Sequence, residues 1–192
     1  KLFGHHLDQI KWLNLGGGHL MTAKSYDVEH LIQVLTYFKS CYPHLDVYLE
    51  PGSAVAWETG ILRATVLDLI EADSLTIAML DVSFTAHMPD CLEMPYKPRI
   101  RGARNPREQE PRYRIGGISC LAGDFMGMGD YYFEQPLQVG DPIIFEDMMH
   151  YTMVKTSMFN GVQHPAIAIA RADGSFQLVR QFSYEDYKSR LS

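Results

Sequence analysis

Three consecutive glycines, Gly16-Gly17-Gly18, stand directly behind a short apolar run, Trp12-Leu13-Asn14-Leu15, and ahead of a strong helical pattern. A segment written this way reads as a strand, a bare-backbone loop and a helix. Glycine adopts positive φ without steric cost, so such a loop lets the main chain approach a ligand closely. Its amides, beside the positive end of the following helix, suit an anion, and phosphate is the leading candidate. The plainer reading is a tight strand-to-helix turn, and a glycine run alone does not decide between the two.

The segments around the loop follow the same plan. Phe3, Leu7 and Ile10 are spaced like one face of a short helix, and 11–15 reads as a buried strand. Beyond the glycines, Ser25 is the expected N-cap, with Asp27 and Glu29 in the first turn, where the helix dipole favours negative charge. Val28, Leu31, Ile32, Leu35 and Phe38 then form an apolar stripe that predicts core packing. Pro43 stops the helix, Val47-Tyr48-Leu49 predicts a second strand, and that strand runs into Glu50-Pro51-Gly52-Ser53. Polar groups just after both strands of a strand-helix-strand unit are the arrangement of an α/β barrel or a doubly wound sheet. Glu50 in isolation would simply cap the Pro-Gly turn. One unit after a phosphate-type loop, it becomes a candidate partner for a protonated ring nitrogen.

From about Gly60 the pattern changes to β. Ile61 to Leu69 and Leu75 to Leu80 read as paired antiparallel strands, followed by strands at Tyr113 to Ser119, Tyr131 to Leu137, Pro142 to Glu146, Ala166 to Ala170 and Phe176 to Phe182. A last helix is expected over Tyr184 to Leu191. The expected organisation is therefore residues 1–59 as an α/β part and 60–192 as a mainly antiparallel β domain.

A formal charge of -6 argues against nucleic acid or an anionic membrane as partner. No apolar run approaches the roughly 20 residues that span a bilayer. The cysteines, Cys41, Cys91 and Cys120, are widely separated, which suits a reducing cytosol. The arginines between Pro95 and Arg112, with Asn105-Pro106 among them, read as a solvated excursion, some of them available for a subunit contact. Lys1 is not an initiator Met, and the opening residues read like the tail of a helix, so the chain is expected to begin partway into a larger protein.

Further polar groups stand where periodicity does not require them: Asp81 closing a strand and opening Asp81-Val82-Ser83-Phe84-Thr85-Ala86-His87-Met88-Pro89-Asp90, Gly117-Ile118-Ser119-Cys120 leading to Asp124, and Tyr151-Thr152 before Phe159-Asn160-Gly161. Each alone is explained by a turn, a cap or the core. In order, together with the glycine loop and Glu-Pro-Gly, they resemble the C-terminal half of the alanine-racemase-like, fold-type III pyridoxal-phosphate decarboxylases. Trp12 to Thr22, Ser83 to Pro95 and Gly117 to Asp124 look most like the branch acting on carboxynorspermidine and carboxyspermidine.

The resemblance implies a fold, a cofactor and roles. The fold would be the end of a (β/α)8 barrel followed by most of a β domain. Gly16, Gly17 and Gly18 would cradle the phosphate of pyridoxal 5'-phosphate, with Gly52 near it and Tyr151 adding a hydroxyl. Glu50 would pair with the pyridinium nitrogen, and Cys120 would protonate the substrate carbon after carbon dioxide leaves. Asp81 would meet the distal amine of a polyamine substrate, with His87, Asp90 and Asp124 as further pocket residues. A homodimer with shared sites is implied, because the cysteine loop reaches the partner's site in this family. Two departures stand out: Ser53 where many relatives carry Arg, and Leu121 where many carry an acid. The latter argues against ornithine or diaminopimelate as substrate. The Schiff-base lysine belongs to a barrel strand upstream of residue 1, and Lys1, Lys11 and Lys24 do not stand in its motif, so this chain alone is expected to be inactive. A non-catalytic regulatory relative, and a racemase or another decarboxylase of the same fold, are the rival readings.

Overall fold

The computed structural model describes residues 3–104 and 110–191. It divides into two compact units, Lys1–Trp57 and Glu58–Ser192.

The first unit contains α1 (Gly4–Leu7), β1 (Trp12–Asn14), α2 (Val28–Cys41), β2 (Asp46–Tyr48) and α3 (Gly52–Ala56). β1 and β2 pair in parallel, with Leu13 opposite Val47, and α2 supplies the crossover that parallel neighbours require. The helix begins later than its sequence suggested. Asp27, not Ser25, is the N-cap, because its carboxylate accepts the His30 N–H at 2.8 Å. Turns over residues 19–27 therefore separate the glycines from α2, and the loop does not abut that helix's positive end. Of the apolar stripe, Leu31, Leu35 and Phe38 are half-buried, whereas Val28 and Ile32 are exposed. Among the described residues no third strand joins β1 and β2.

The second unit is built on β3 (Ile61–Ala72), β4 (Leu75–Leu80), β5 (Arg112–Gly116), β6 (Tyr131–Tyr132) and β7 (Pro142–Glu146), in the spatial order β6-β5-β4-β3-β7. Two short helices, α4 (Phe84–His87) and α5 (Asp90–Glu93), follow β4. The sheet is mixed, its described pairings antiparallel apart from one. β4 and β5 run parallel, with Ala78 opposite Ile115. The reason lies in the connection: helices and a long excursion join them, and such a crossover returns the chain in the same direction as readily as a hairpin reverses it. β3 and β4 form the expected hairpin, with a register shift between Val66 and Asp68, and β3 also pairs with β7 along Ile61 to Thr65.

Alternation along these strands turns Ala64, Val66, Ala78, Leu80, Ile115, Ile143 and Phe145 into one core. Phe84 of α4 meets Phe145 edge to face, with centroids 5.9 Å apart and both rings fully buried. Burying each such ring contributes about 1.5–3 kcal/mol. α4 is thereby fastened to the sheet, which fixes the segment from Ser83 to Met88.

Two expected strands stop well before their predicted ends. β6 ends at Tyr132 because Phe133 stands opposite Pro111, whose carbonyl accepts the Phe133 N–H but which has no amide to return. β5 ends at Gly116, where the next residue packs against the Asp124 carboxylate. β8 (Ile167–Ala170) and β9 (Phe176–Arg180) form a separate antiparallel hairpin, and α6 (Tyr184–Leu191) follows as predicted. Every hairpin strand residue except Ile167 is exposed.

The arginine-rich excursion is answered by acids. Arg99 pairs with Glu58 at 2.8 Å, Arg101 with Glu146 at 3.5 Å, and Arg112 with Asp130 at 3.5 Å. Arg104 contacts both Glu110 and Glu134. Arg107, Glu108 and the Asn105-Pro106 turn lie outside the described residues. Among the described residues no helix is long and apolar enough to cross a membrane, and no cluster of His, Cys, Asp and Glu could hold a metal ion.

Candidate functional site

In the first unit the structure joins the two motifs that the sequence placed one strand apart. Leu15 donates to the Tyr48 carbonyl at 2.9 Å and Glu50 donates to the Gly16 carbonyl at 2.8 Å, so pairing continues past both strands into the glycine loop. Gly16 (φ 73°) and Gly18 (φ 85°) lie in the left-handed region, and the space where a Cβ would stand is open at both. At Gly17 the reason for glycine is different. A Cβ there would stand 2.8 Å from the Glu50 carbonyl oxygen, inside any ordinary contact.

Asn14 is a site residue that the sequence reading left without a role. Its side-chain oxygen accepts the Gly16 N–H at 2.7 Å, and its side-chain amide donates to Glu50 Oε1 at 2.7 Å. The signal was present: Asn two residues before a glycine is the signature of an Asx turn. One oxygen of Glu50 is thus held while the other is left for a ligand. Gly52 donates its N–H to the Glu50 carbonyl at 2.8 Å, so its contribution is to the turn rather than to an anion. Among the described residues the amides of Gly17 and Gly18 make no hydrogen bond. These features fit a phosphate and a protonated ring nitrogen: open space over glycines, unbonded amides and an oriented carboxylate.

In the second unit Asp81 stands at the end of β4. Its Oδ1 accepts the Thr65 N–H at 2.7 Å, its own N–H returns to the Thr65 carbonyl, and the residue is exposed. That leaves a fixed carboxylate facing solvent. His87 is different, being 1 % exposed in α4. Its Nδ1 accepts the Ser83 N–H at 3.2 Å, which places the proton of the neutral ring on Nε2. Burial, reinforced by His164, pushes the imidazole down to about 4, so it is neutral at physiological pH. Asp90 is paired with Lys155 at 3.0 Å, and the same ammonium reaches Glu93 at 2.6 Å.

Asp124 is buried beneath the loop that carries Cys120. Its Oδ1 accepts from Phe84 N–H (2.7 Å) and Thr85 N–H (3.1 Å), and its Oδ2 from Ser119 N–H (3.0 Å). Burial alone would raise this carboxyl's pKa. The donors from Ser119, Thr85 and Ser83 outweigh that cost and hold it below its ordinary value. Gly117 is obligatory here, since a Cβ would stand 2.5 Å from Asp124 Oδ2. Cys120 itself is free and exposed, with φ 63°. Tyr151 is also exposed, with φ 50°, and its hydroxyl makes no hydrogen bond among the described residues. Non-glycine residues held in this region of backbone space concentrate at functional loops.

Residues 12–149 match the family described as pyridoxal-dependent decarboxylase, C-terminal sheet domain, and the chain belongs to that family. Among its relatives it is 64% identical over 191 residues to the carboxyaminopropylagmatine decarboxylase of Synechocystis sp., covering 100% of this chain and 49% of that protein. It is 44% identical to the carboxynorspermidine/carboxyspermidine decarboxylase of Campylobacter jejuni, covering 98% of this chain and 51% of that protein. The crystal structure of carboxynorspermidine decarboxylase complexed with norspermidine from Campylobacter jejuni superposes with a TM-score of 0.84, covering 98% of this chain and 53% of that one. The chain therefore spans about half the length of the curated relatives it matches.

Proposed function

We propose that this chain is the C-terminal part of a pyridoxal-phosphate-dependent decarboxylase that removes the carboxyl group of a carboxylated polyamine in polyamine synthesis. The observation that carries the reading is the Asn14-Glu50-Gly16 arrangement, in which Asn14 holds both the Glu50 carboxylate and the Gly16 amide and so sets an oriented acid beside the unbonded amides of Gly17 and Gly18. β1, α2 and β2 are read as the end of a (β/α)8 barrel whose other strands, and whose Schiff-base lysine, lie upstream in the full-length polypeptide. The protein works in the cytoplasm as a homodimer with shared sites.

Each residue has a distinct part. Gly16, Gly17 and Gly18 receive the cofactor phosphate, Gly52 shapes the adjoining turn, and the Tyr151 hydroxyl adds a further donor. Glu50 holds the proton on the ring nitrogen. When bound, the cofactor supplies the cationic ring into which the electron pair left by carbon dioxide is drawn. Asp81 receives the distal cation of the substrate, and Cys120 gives its thiol proton to the substrate carbon. His87, buried and neutral, shapes the wall near Asp81 without charging it. Asp90 is answered by Lys155, so it acts on the polyamine at most through the local field. Asp124 supports the cysteine loop rather than touching substrate.

The relatives frame the choice of substrate. Those at 44% and 42% identity carry the name carboxynorspermidine/carboxyspermidine decarboxylase, whereas the relative at 64% acts, by its name, on carboxyaminopropylagmatine. A distal guanidinium offers Asp81 two parallel N–H groups, and an ammonium offers a single point charge.

The test uses the full-length polypeptide incubated with pyridoxal phosphate, reduced with borohydride and digested. A pyridoxyl-lysine peptide, followed by carbon dioxide release from one or more of the three carboxylated polyamines, supports the reading and ranks the substrates. Absence of any lysine adduct makes the protein a regulatory relative, and racemised substrate with no carbon dioxide makes it a racemase.

A further inference from the structure

Ser119 is 1 % exposed, and each of its polar groups is held by another segment of the second unit. Its N–H donates to Asp124 Oδ2 at 3.0 Å, its carbonyl accepts from the Asn160 side-chain amide at 2.7 Å, and its hydroxyl lies 3.2 Å from that of Thr85. Thr85 in turn meets the Ser83 hydroxyl at 3.0 Å, and Ser83 caps α4 by accepting the Ala86 N–H. The very next residue, Cys120, is exposed and sits at φ 63°. A non-glycine residue stays in that conformation only where its surroundings over-determine it. Here they do so from two directions, with a carboxylate on the Ser119 N–H and a side-chain amide on the Ser119 carbonyl.

We propose that Asn160 and Asp124 are positioning residues for the Cys120 thiol. By gripping Ser119 at the peptide before it and the peptide after it, they fix where the thiol stands and how it points, so its proton is delivered to one carbon rather than over a mobile arc. Asn160 suits this part because it is itself at φ 54°, and asparagine tolerates left-handed backbone better than other residues with a side-chain amide. Asp124 is buried and serves as the fixed floor, whereas Asn160 is reached from the exposed stretch Phe159–Gly161 and serves as the latch. The inference rests on the reading that Cys120 is the proton donor, but the clasp itself can be examined without any turnover.

The experiment compares full-length wild type with Asn160→Gly and Asn160→Asp. Glycine keeps the positive φ without strain and removes only the latch, so folding is preserved and is checked by thermal melting. Aspartate keeps the size but sets an acceptor against the Ser119 carbonyl. The first readout is the rate of iodoacetamide labelling at Cys120, followed by peptide mass spectrometry, with exposed Cys41 as internal standard. The second is kcat and KM. The expected result is at least a ~3-fold change in Cys120 labelling in both variants at constant Cys41 labelling, with kcat down roughly 10-fold and KM within twofold, since small misplacements of a reacting group cost rate rather than binding. Unchanged Cys120 labelling overturns the clasp. Changed labelling with unchanged kcat overturns its part in proton delivery. If the wild type decarboxylates nothing while labelling still responds to Asn160, the clasp stands and the decarboxylase reading fails.

Discussion

The side-chain amide of Asn14 donates to Glu50 Oε1 at 2.7 Å while its oxygen accepts the Gly16 N–H, so a single residue orients the acid and pins the glycine loop. An amide at position 50 would keep that shape but not the charge. Glu50→Gln is expected to leave cofactor binding largely intact and to lower kcat by about 100-fold, the scale seen when one preorganised electrostatic partner is lost. Absorbance titration with pyridoxal phosphate and steady-state kinetics separate the two quantities. Equal turnover would remove Glu50 from the ring nitrogen.

The cysteine loop is packed so tightly that one methyl group should be felt. Gly117→Ala sets a Cβ against both carboxylate oxygens of Asp124, at 2.5 and 2.7 Å. Destabilisation of about 2 kcal/mol is expected from such overpacking. Gly127→Ala is the control, because its nearest neighbouring atom is 3.9 Å away. A melting temperature that falls equally in both would deny the Gly117 contact.

His87 predicts an acid-sensitive second unit. Its folded value of about 4 lies below the ordinary imidazole value of 6.5, so the unfolded chain binds a proton that the folded chain excludes. Stability from this group is complete above about pH 6.5 and declines as pH falls towards 4, by something on the order of 3 kcal/mol. Asp124, held below its ordinary value of 3.8, loses its contribution only at still lower pH. Denaturant midpoints between pH 7 and 4 should therefore slope downward in wild type and flatten in His87→Gln. A slope that survives the substitution would assign the sensitivity elsewhere.

Asp81 and Asp90 should separate cleanly. Losing a charge-assisted contact to a distal cation costs about 1.5–3 kcal/mol, which corresponds to a rise in KM of roughly 10- to 100-fold for Asp81→Ala. Asp90 already faces Lys155, so Asp90→Ala should leave KM within about threefold. A change confined to kcat in Asp81→Ala would contradict its contact with the distal end.

Much of this architecture was legible because it depends on local pattern. β3, β4, β7 and α6 follow from alternation, β-branched residues and turn signals, and the glycine loop and Glu50 follow from their places after two strands. The start of α2 was misplaced because Ser25 and Asp27 both make acceptable caps, and only the His30 amide chooses between them. The parallel pairing of β4 with β5 depends on where a long crossover returns, which propensity does not encode. Asp124 looked like a pocket acid because burial beneath α4 is a tertiary fact. Asn160 read as a turn residue for the same reason, since its partner Ser119 is far away along the chain.

Cys120, Tyr151 and Asn160 all hold a backbone conformation that glycine would occupy with less strain. Each side chain therefore persists against a local preference of about 1 kcal/mol. A selection for thermostability alone would drift toward glycine at these three positions, and a selection for turnover would hold them. Scored side by side, the two selections should rank these sites in opposite order, and any other position that behaves the same way becomes a candidate for the working surface of this domain.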